Sequence, residues 1–68
     1  MNTVKREVLI TYRGDRSQQE MAAMYGVTQQ AWSSWENGIT KPDVVTMQKL
    51  SKDIGKNIEN IFFDVFNK

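Results

Sequence analysis

A chain of 68 residues is expected to make one domain around one small core, because so short a chain buries only about 60% of the surface its unfolded form exposes. Its composition, 40% hydrophobic and 25% charged with four Gly and one Pro, is that of an ordinary globular protein with no segment biased towards disorder. It has no cysteine and no histidine, and nine Lys plus Arg stand against eight Asp plus Glu for a formal net charge of +1.

These counts exclude several function classes. Without cysteine there is neither a disulfide framework nor a thiolate zinc site, so apolar packing must hold the fold. Without histidine the commonest general base and metal ligand are missing. The carboxylates Glu7, Asp15, Glu20, Glu36, Asp43, Asp53, Glu59 and Asp64 are spread singly along the chain. The expectation is therefore a protein with no catalytic residues, no metal and no cofactor. MNTVKREVLI lacks the long apolar run of a signal peptide, and no stretch approaches the ~20 apolar residues of a membrane span, so a cytoplasmic location is expected. A net +1 is modest for a nucleic-acid partner, which leaves the work to distribution. Lys5, Arg6, Arg13 and Arg16 outnumber Glu7 and Asp15 near the N-terminus, and Lys41 lies further on.

In chain order, Val4, Val8 and Tyr12 repeat at helical spacing, while Val8-Leu9-Ile10-Thr11-Tyr12 also has strand character. Arg13-Gly14-Asp15-Arg16 reads as a turn. Ser17-Gln18-Gln19-Glu20 has the form of a capping box and starts a helix with Met21, Ala22 and Tyr25 on its apolar side, closed by Gly26. Val27 links it to a helix capped by Thr28. On that helix, Trp32 and Trp35 point one way. Gln30, Ser33, Ser34 and Asn37 point the other, with Gln29 at the flank. Asn37-Gly38 ends it, and Ile39-Thr40-Lys41-Pro42 is a loop. Asp43 caps a helix carrying Val44, Met47, Leu50 and Ile54, stopped by Gly55. Asn57 is expected to cap a short fifth helix with Ile58, Ile61 and Phe62, before a tail of Phe63-Asp64-Val65-Phe66-Asn67-Lys68. The sum is an all-α bundle of about five helices.

Two short helices joined by one glycine turn, the second showing amides and hydroxyls outward, suit a helix-turn-helix reader of DNA. Glutamine donates and accepts in one plane, matching adenine N6 and N7, and serine takes either role. Ser17-Gln18-x-Glu20-Met21-Ala22, Gly26-Val27-Thr28-Gln29-Gln30, Trp35-Glu36-Asn37-Gly38 and Lys41-Pro42 together resemble the Cro/CI (XRE) helix-turn-helix family, lambdoid phage repressors especially. The resemblance covers nearly the whole chain and implies a five-helix lambda-repressor-like domain. It implies that Gln29, Gln30 and Ser34, beside Ser33 on the same face, read base edges. Gln18, Thr28, Asn37, Thr40 and Lys41 stand as phosphate contacts. It also pairs Arg13 with Glu36. The chain departs from the family pattern in its short Gly14-Asp15-Arg16 connection, in Arg16 where an apolar residue is customary, and in the bulk of Trp32.

Other residues read more plainly. Ser17, Thr28 and Asp43 are caps whatever the domain does. The spacing of Trp32 and Trp35 beside Met21 and Tyr25 makes them core rather than base-stacking platforms. Lys5 and Arg6 match no family motif and read as a solvated helix end. The whole reads as a homodimeric, operator-binding regulator of transcription. Phe63, Val65 and Phe66 form the dimer patch, or else fold back over the first helix. The alternative is a protein-interaction module on the same fold, an antirepressor or an antitoxin-like partner.

Overall fold

The structure is a computed structural model and describes residues 4–66; residues 1–3 of the stretch read for a signal peptide, and residues 67–68 of the tail, lie outside it. The described residues form six helical segments: α1 Glu7–Arg13, α2 Gln18–Met24, α3 Gln29–Glu36, α4 Val44–Ile54, α5 Ile58–Ile61 and α6 Phe63–Phe66. The first segment, open between helix and strand in the sequence, is a helix. That winding buries Leu9 completely and sets Val8 and Tyr12 against the core, while Glu7 and Arg13 complement the two ends of its dipole.

Three helix starts follow from local side-chain chemistry. Glu20 N donates to Ser17 Oγ and Ser17 N to Glu20 Oε1, both at 3.0 Å, completing the capping box of α2. Ala31 N donates to Thr28 Oγ1 at 3.1 Å and Thr46 N to Asp43 Oδ1 at 2.9 Å. The fourth differs from expectation. Asn57 occupies the position before α5, but its side chain makes no capping bond; its backbone carbonyl accepts from Asn60 N and Ile61 N instead. Burial of Ile61 and Phe62, rather than a cap, holds this single turn in place.

The helix ends are equally local. Val27 N reaches Ala22 O at 2.9 Å after α2, and Ile39 N reaches Ser34 O at 2.9 Å after α3, each across a positive-φ glycine, Gly26 and Gly38. The core comprises Leu9, Met21, Ala22, Trp32, Trp35, Met47, Leu50, Ile61 and Phe62. Both tryptophans are in it, as their spacing predicts. Trp32 stacks on Tyr25 with ring centroids 5.6 Å apart and meets Trp35 edge-on at 5.7 Å.

Two features at the chain ends correct the sequence reading. Beyond Phe62 the chain turns once more, into α6, so the bundle has six helical segments rather than about five. Arg6 is not a solvated helix end: it is 2% exposed. Its Nη1 donates to Trp35 O at 2.8 Å and Thr40 O at 2.6 Å, and its Nε and Nη2 donate to the two carboxylate oxygens of Asp64 at 3.0 and 2.9 Å. The physical reason is compensation: a guanidinium enters the interior when planar acceptors satisfy its fork, and α6 supplies a bidentate carboxylate. Lys5 is exposed, in keeping with its reading.

Arg6 N also donates to Glu36 O at 2.8 Å, which lays the Val4–Arg6 segment across the end of α3. Gly38 lies beneath that crossing with φ 72°, and a side chain there would collide with the Val4 backbone. Gly26, at φ 67°, faces open space. Gly26→Ala should therefore cost only the left-handed penalty of about 1–2 kcal/mol, whereas Gly38→Ala adds displacement of the N-terminal segment and should cost clearly more. Denaturant unfolding of the two variants checks the order; equal losses would show that the Val4 crossing contributes nothing.

Candidate nucleic-acid interface

The candidate interface rests on α3, and its inward side is built first. Glu36, 3% exposed, closes the last turn of this helix. Its carboxylate accepts from Arg13 Nε at 2.7 Å and Nη2 at 3.3 Å, from Gln18 Nε2 at 3.1 Å, and from the indole Nε1 of Trp32. Three helices thus meet at one carboxylate: Arg13 ends α1, Gln18 opens α2, and Trp32 lies one turn back on α3. Burial alone would push the Glu36 carboxyl up. The donors from Arg13, Gln18 and Trp32 outweigh it and hold the pKa below the ordinary carboxylate range. The same hydrogen bond raises the pKa of Arg13, against its small desolvation.

The outward side is different in kind. Gln29 and Gln30 are exposed at the start of α3, and no hydrogen bond among the described residues ties either side chain to the protein. Ser33 and Ser34 are half-buried on the next turn. Asn37 turns back along the helix, its Nδ2 donating to Ser33 O at 2.9 Å and Ser33 Oγ at 3.3 Å. Thr28 is exposed, and because its oxygen already accepts from Ala31 N, its hydroxyl proton remains free to donate. Gln18 gives one amide hydrogen to Glu36 and keeps the other. Thr40 and Lys41 are exposed, with Pro42 buried behind them.

The short connection after α1 also has its explanation. Arg16, which stands where the family pattern is apolar, lies over the Tyr12 ring with its guanidinium carbon 5.2 Å from the centroid, and donates to Tyr12 O and Arg13 O. Its long stem and flat head do the covering that an aliphatic side chain would otherwise do. Tyr12 in turn shares its hydroxyl with that of Tyr25 at 2.8 Å, and Tyr25 donates to Asp53 at 2.9 Å. Burial, first, and these bonds push the Tyr25 phenol well above its ordinary value.

The C-terminal candidates divide. Val65 packs partly buried against the core, while Phe63 and Phe66 remain 44% and 53% exposed. Arg6 is the residue that sequence reasoning missed, since its partners lie on elements far along the chain. Among the described residues no group of three or more metal-ligating side chains gathers, and no helix is long and apolar enough to cross a membrane.

This arrangement, an α2–turn–α3 unit braced by a partly buried ion pair with a polar face outward, is that of a helix-turn-helix domain. The helix-turn-helix family model matches residues 9–61, from α1 to the end of α5, and the chain belongs to that family, in its Cro/CI (XRE) form, as a DNA-binding regulator of transcription. No curated protein and no solved structure matches.

The depressed Glu36 pKa has a sign that can be checked. A carboxylate held lower in the folded state stabilises it fully above the unfolded value of about 4.3, and that contribution is lost as pH falls through the folded value. Glu36→Gln should destabilise the domain by about 3 kcal/mol near neutrality, because the charge opposite Arg13 is lost and one of the two acceptor oxygens becomes an NH2 donor facing the donors of Arg13, Gln18 or Trp32. The gap to the native protein should narrow below about pH 4.3, where native Glu36 itself begins to take up a proton. Denaturant unfolding from pH 7 to pH 3 measures it, and a gap constant over that range would mean that Glu36 carries no depressed pKa.

Proposed function

We propose that the chain reads a duplex operator as a homodimer, with α3 in the major groove and transcription as its target. The observation that carries the reading is the contrast across α3. Its inward side is fully satisfied by the tryptophans and Glu36, while Gln29 and Gln30 are exposed and uncommitted. Charged side chains there would bind any phosphate; amides hold both donor and acceptor in one plane for a base edge. Ser33 and Ser34 complete the base-facing set, Ser33 with its hydroxyl oxygen already accepting from Asn37 and its proton free.

Phosphate contacts fix the register. The free hydrogen of Gln18, the Thr28 hydroxyl, Thr40 and Lys41 surround α3 for that purpose, and Asn37 joins them by turning its Nδ2 from Ser33 to a phosphate. Exposure of Phe63 and Phe66 on α6 supports the dimer, since apolar side chains clustered on one turn commonly mark an interface. Val65 anchors that turn from its inner side.

A second reading has an observation of its own. Ile39, Val44 and Val45 are 64%, 64% and 74% exposed, an apolar group beside the loop that would suit a partner protein, as in an antirepressor or an antitoxin-like module. Selection from a random duplex pool at low salt separates the two. A recovered consensus whose binding falls steeply with salt supports the DNA reading, and an empty selection with folded protein supports the other.

Gln30→Ala should leave unfolding unchanged and cost about 1–3 kcal/mol on the selected site, with relaxed preference at one base pair and little change on mixed-sequence DNA. An equal loss on all sequences would show that Gln30 reads no base.

Replacing both Phe63 and Phe66 with Ser should give a folded monomer that binds a two-half-site duplex hardly better than one half-site. Sedimentation equilibrium and titration of both duplexes check this. A parent protein that stays monomeric at high micromolar concentration would place the dimer contact elsewhere or nowhere.

A further inference from the structure

The Arg6 guanidinium joins three parts of the fold through four acceptors. Trp35 O belongs to the last turn of α3, Thr40 O to the loop before α4, and Asp64 to α6, while the guanidinium carbon stands 5.0 Å from the centre of the Phe62 ring. The Thr40 contact has a consequence for Lys41. The Thr40 carbonyl and the Lys41 N–H share one planar peptide unit, so holding that oxygen sets the plane from which Lys41 departs. On its other side Lys41 is followed by Pro42, buried and with its φ fixed by the ring. An exposed cation thus leaves a backbone held on both sides, and a contact made from such a backbone loses less freedom on binding.

We propose that Arg6 is a positioning residue for the phosphate contact of the Thr40–Lys41 loop, with Asp64 as the other half of its clamp. Arg6 touches no DNA, being buried; it acts through the loop backbone. The inference rests on the reading of Lys41 as a phosphate contact.

The test uses the full chain and a mixed-sequence duplex about two helical turns long, for which phosphate contacts dominate. The slope of log K against log salt is measured for the native protein, Arg6→Lys, Lys41→Ala and the double variant, each shown folded by thermal unfolding. Lys41→Ala should flatten the slope by about one. Arg6→Lys keeps the net charge but loses the planar fork, and should flatten it by a comparable amount. The double variant should lose no more than Lys41→Ala alone. A native slope in Arg6→Lys, or losses that add in the double variant, overturns the positioning role. An unchanged slope in Lys41→Ala overturns the phosphate reading beneath it, and the proposal with it. Should Arg6→Lys fail to fold, Asp64→Asn takes its place. That variant frees Nε and Nη2 and so loosens the guanidinium that holds the Thr40 carbonyl. Because it also raises the net charge by one, its slope change is compared in the native and Lys41→Ala backgrounds. A flattening seen only with Lys41 present supports the positioning role, and equal changes in both overturn it.

Discussion

A carboxylate with 3% exposure would ordinarily be a liability, since burial disfavours its charge. Glu36 is tolerated because four hydrogen bonds from α1, α2 and α3 converge on it, and the rest of the domain is arranged around that convergence. Such a site adds little net stability over well-packed apolar residues, because desolvation offsets much of the attraction. What it supplies is orientation. Arg13, Gln18 and the Trp32 indole can all be satisfied only when the three helices take one relative placement. The placement of α3 is the one a helix-turn-helix protein must control.

The same residue links this convergence to the chain ends through its backbone. Glu36 O takes the amide of Arg6, whose side chain then reaches Trp35, Thr40 and Asp64. In so small a domain the core is too limited to lock the termini by apolar burial alone. A buried guanidinium with every acceptor in place does so with few atoms. It also sorts α6 into two sides, Val65 inward and Phe63 and Phe66 outward, so that a one-turn helix presents its aromatic pair without unravelling.

Much of this architecture was legible before the fold was known, and the legible parts share a property. The caps at Ser17, Thr28 and Asp43 each act on an amide three residues ahead. The turns at Gly26 and Gly38 close bonds across five residues. The tryptophan pair is one helical turn apart. Spacing therefore sufficed for α2 to α4 and the tryptophan core, while the helix-turn-helix family rested on the resemblance of the motifs taken together. Asn57 shows the limit of such rules: a residue fit to cap stands in the capping position and its side chain does not cap, while the turn it precedes buries Ile61 and Phe62.

By itself the sequence determined the all-α class, the α2–turn–α3 unit and the outward polar face of α3, because each depends on contacts within one or two turns of helix. Only the tertiary structure decided the role of Arg6, whose acceptors lie 29, 34 and 58 positions along the chain, and with it the course of α6 and the anchoring of the Thr40–Lys41 loop. No local pattern separates a lysine or arginine that stays in water from one that goes inside. The difference lies in whether distant segments bring it enough oxygen atoms in one plane, and that is settled only when the chain has closed on itself.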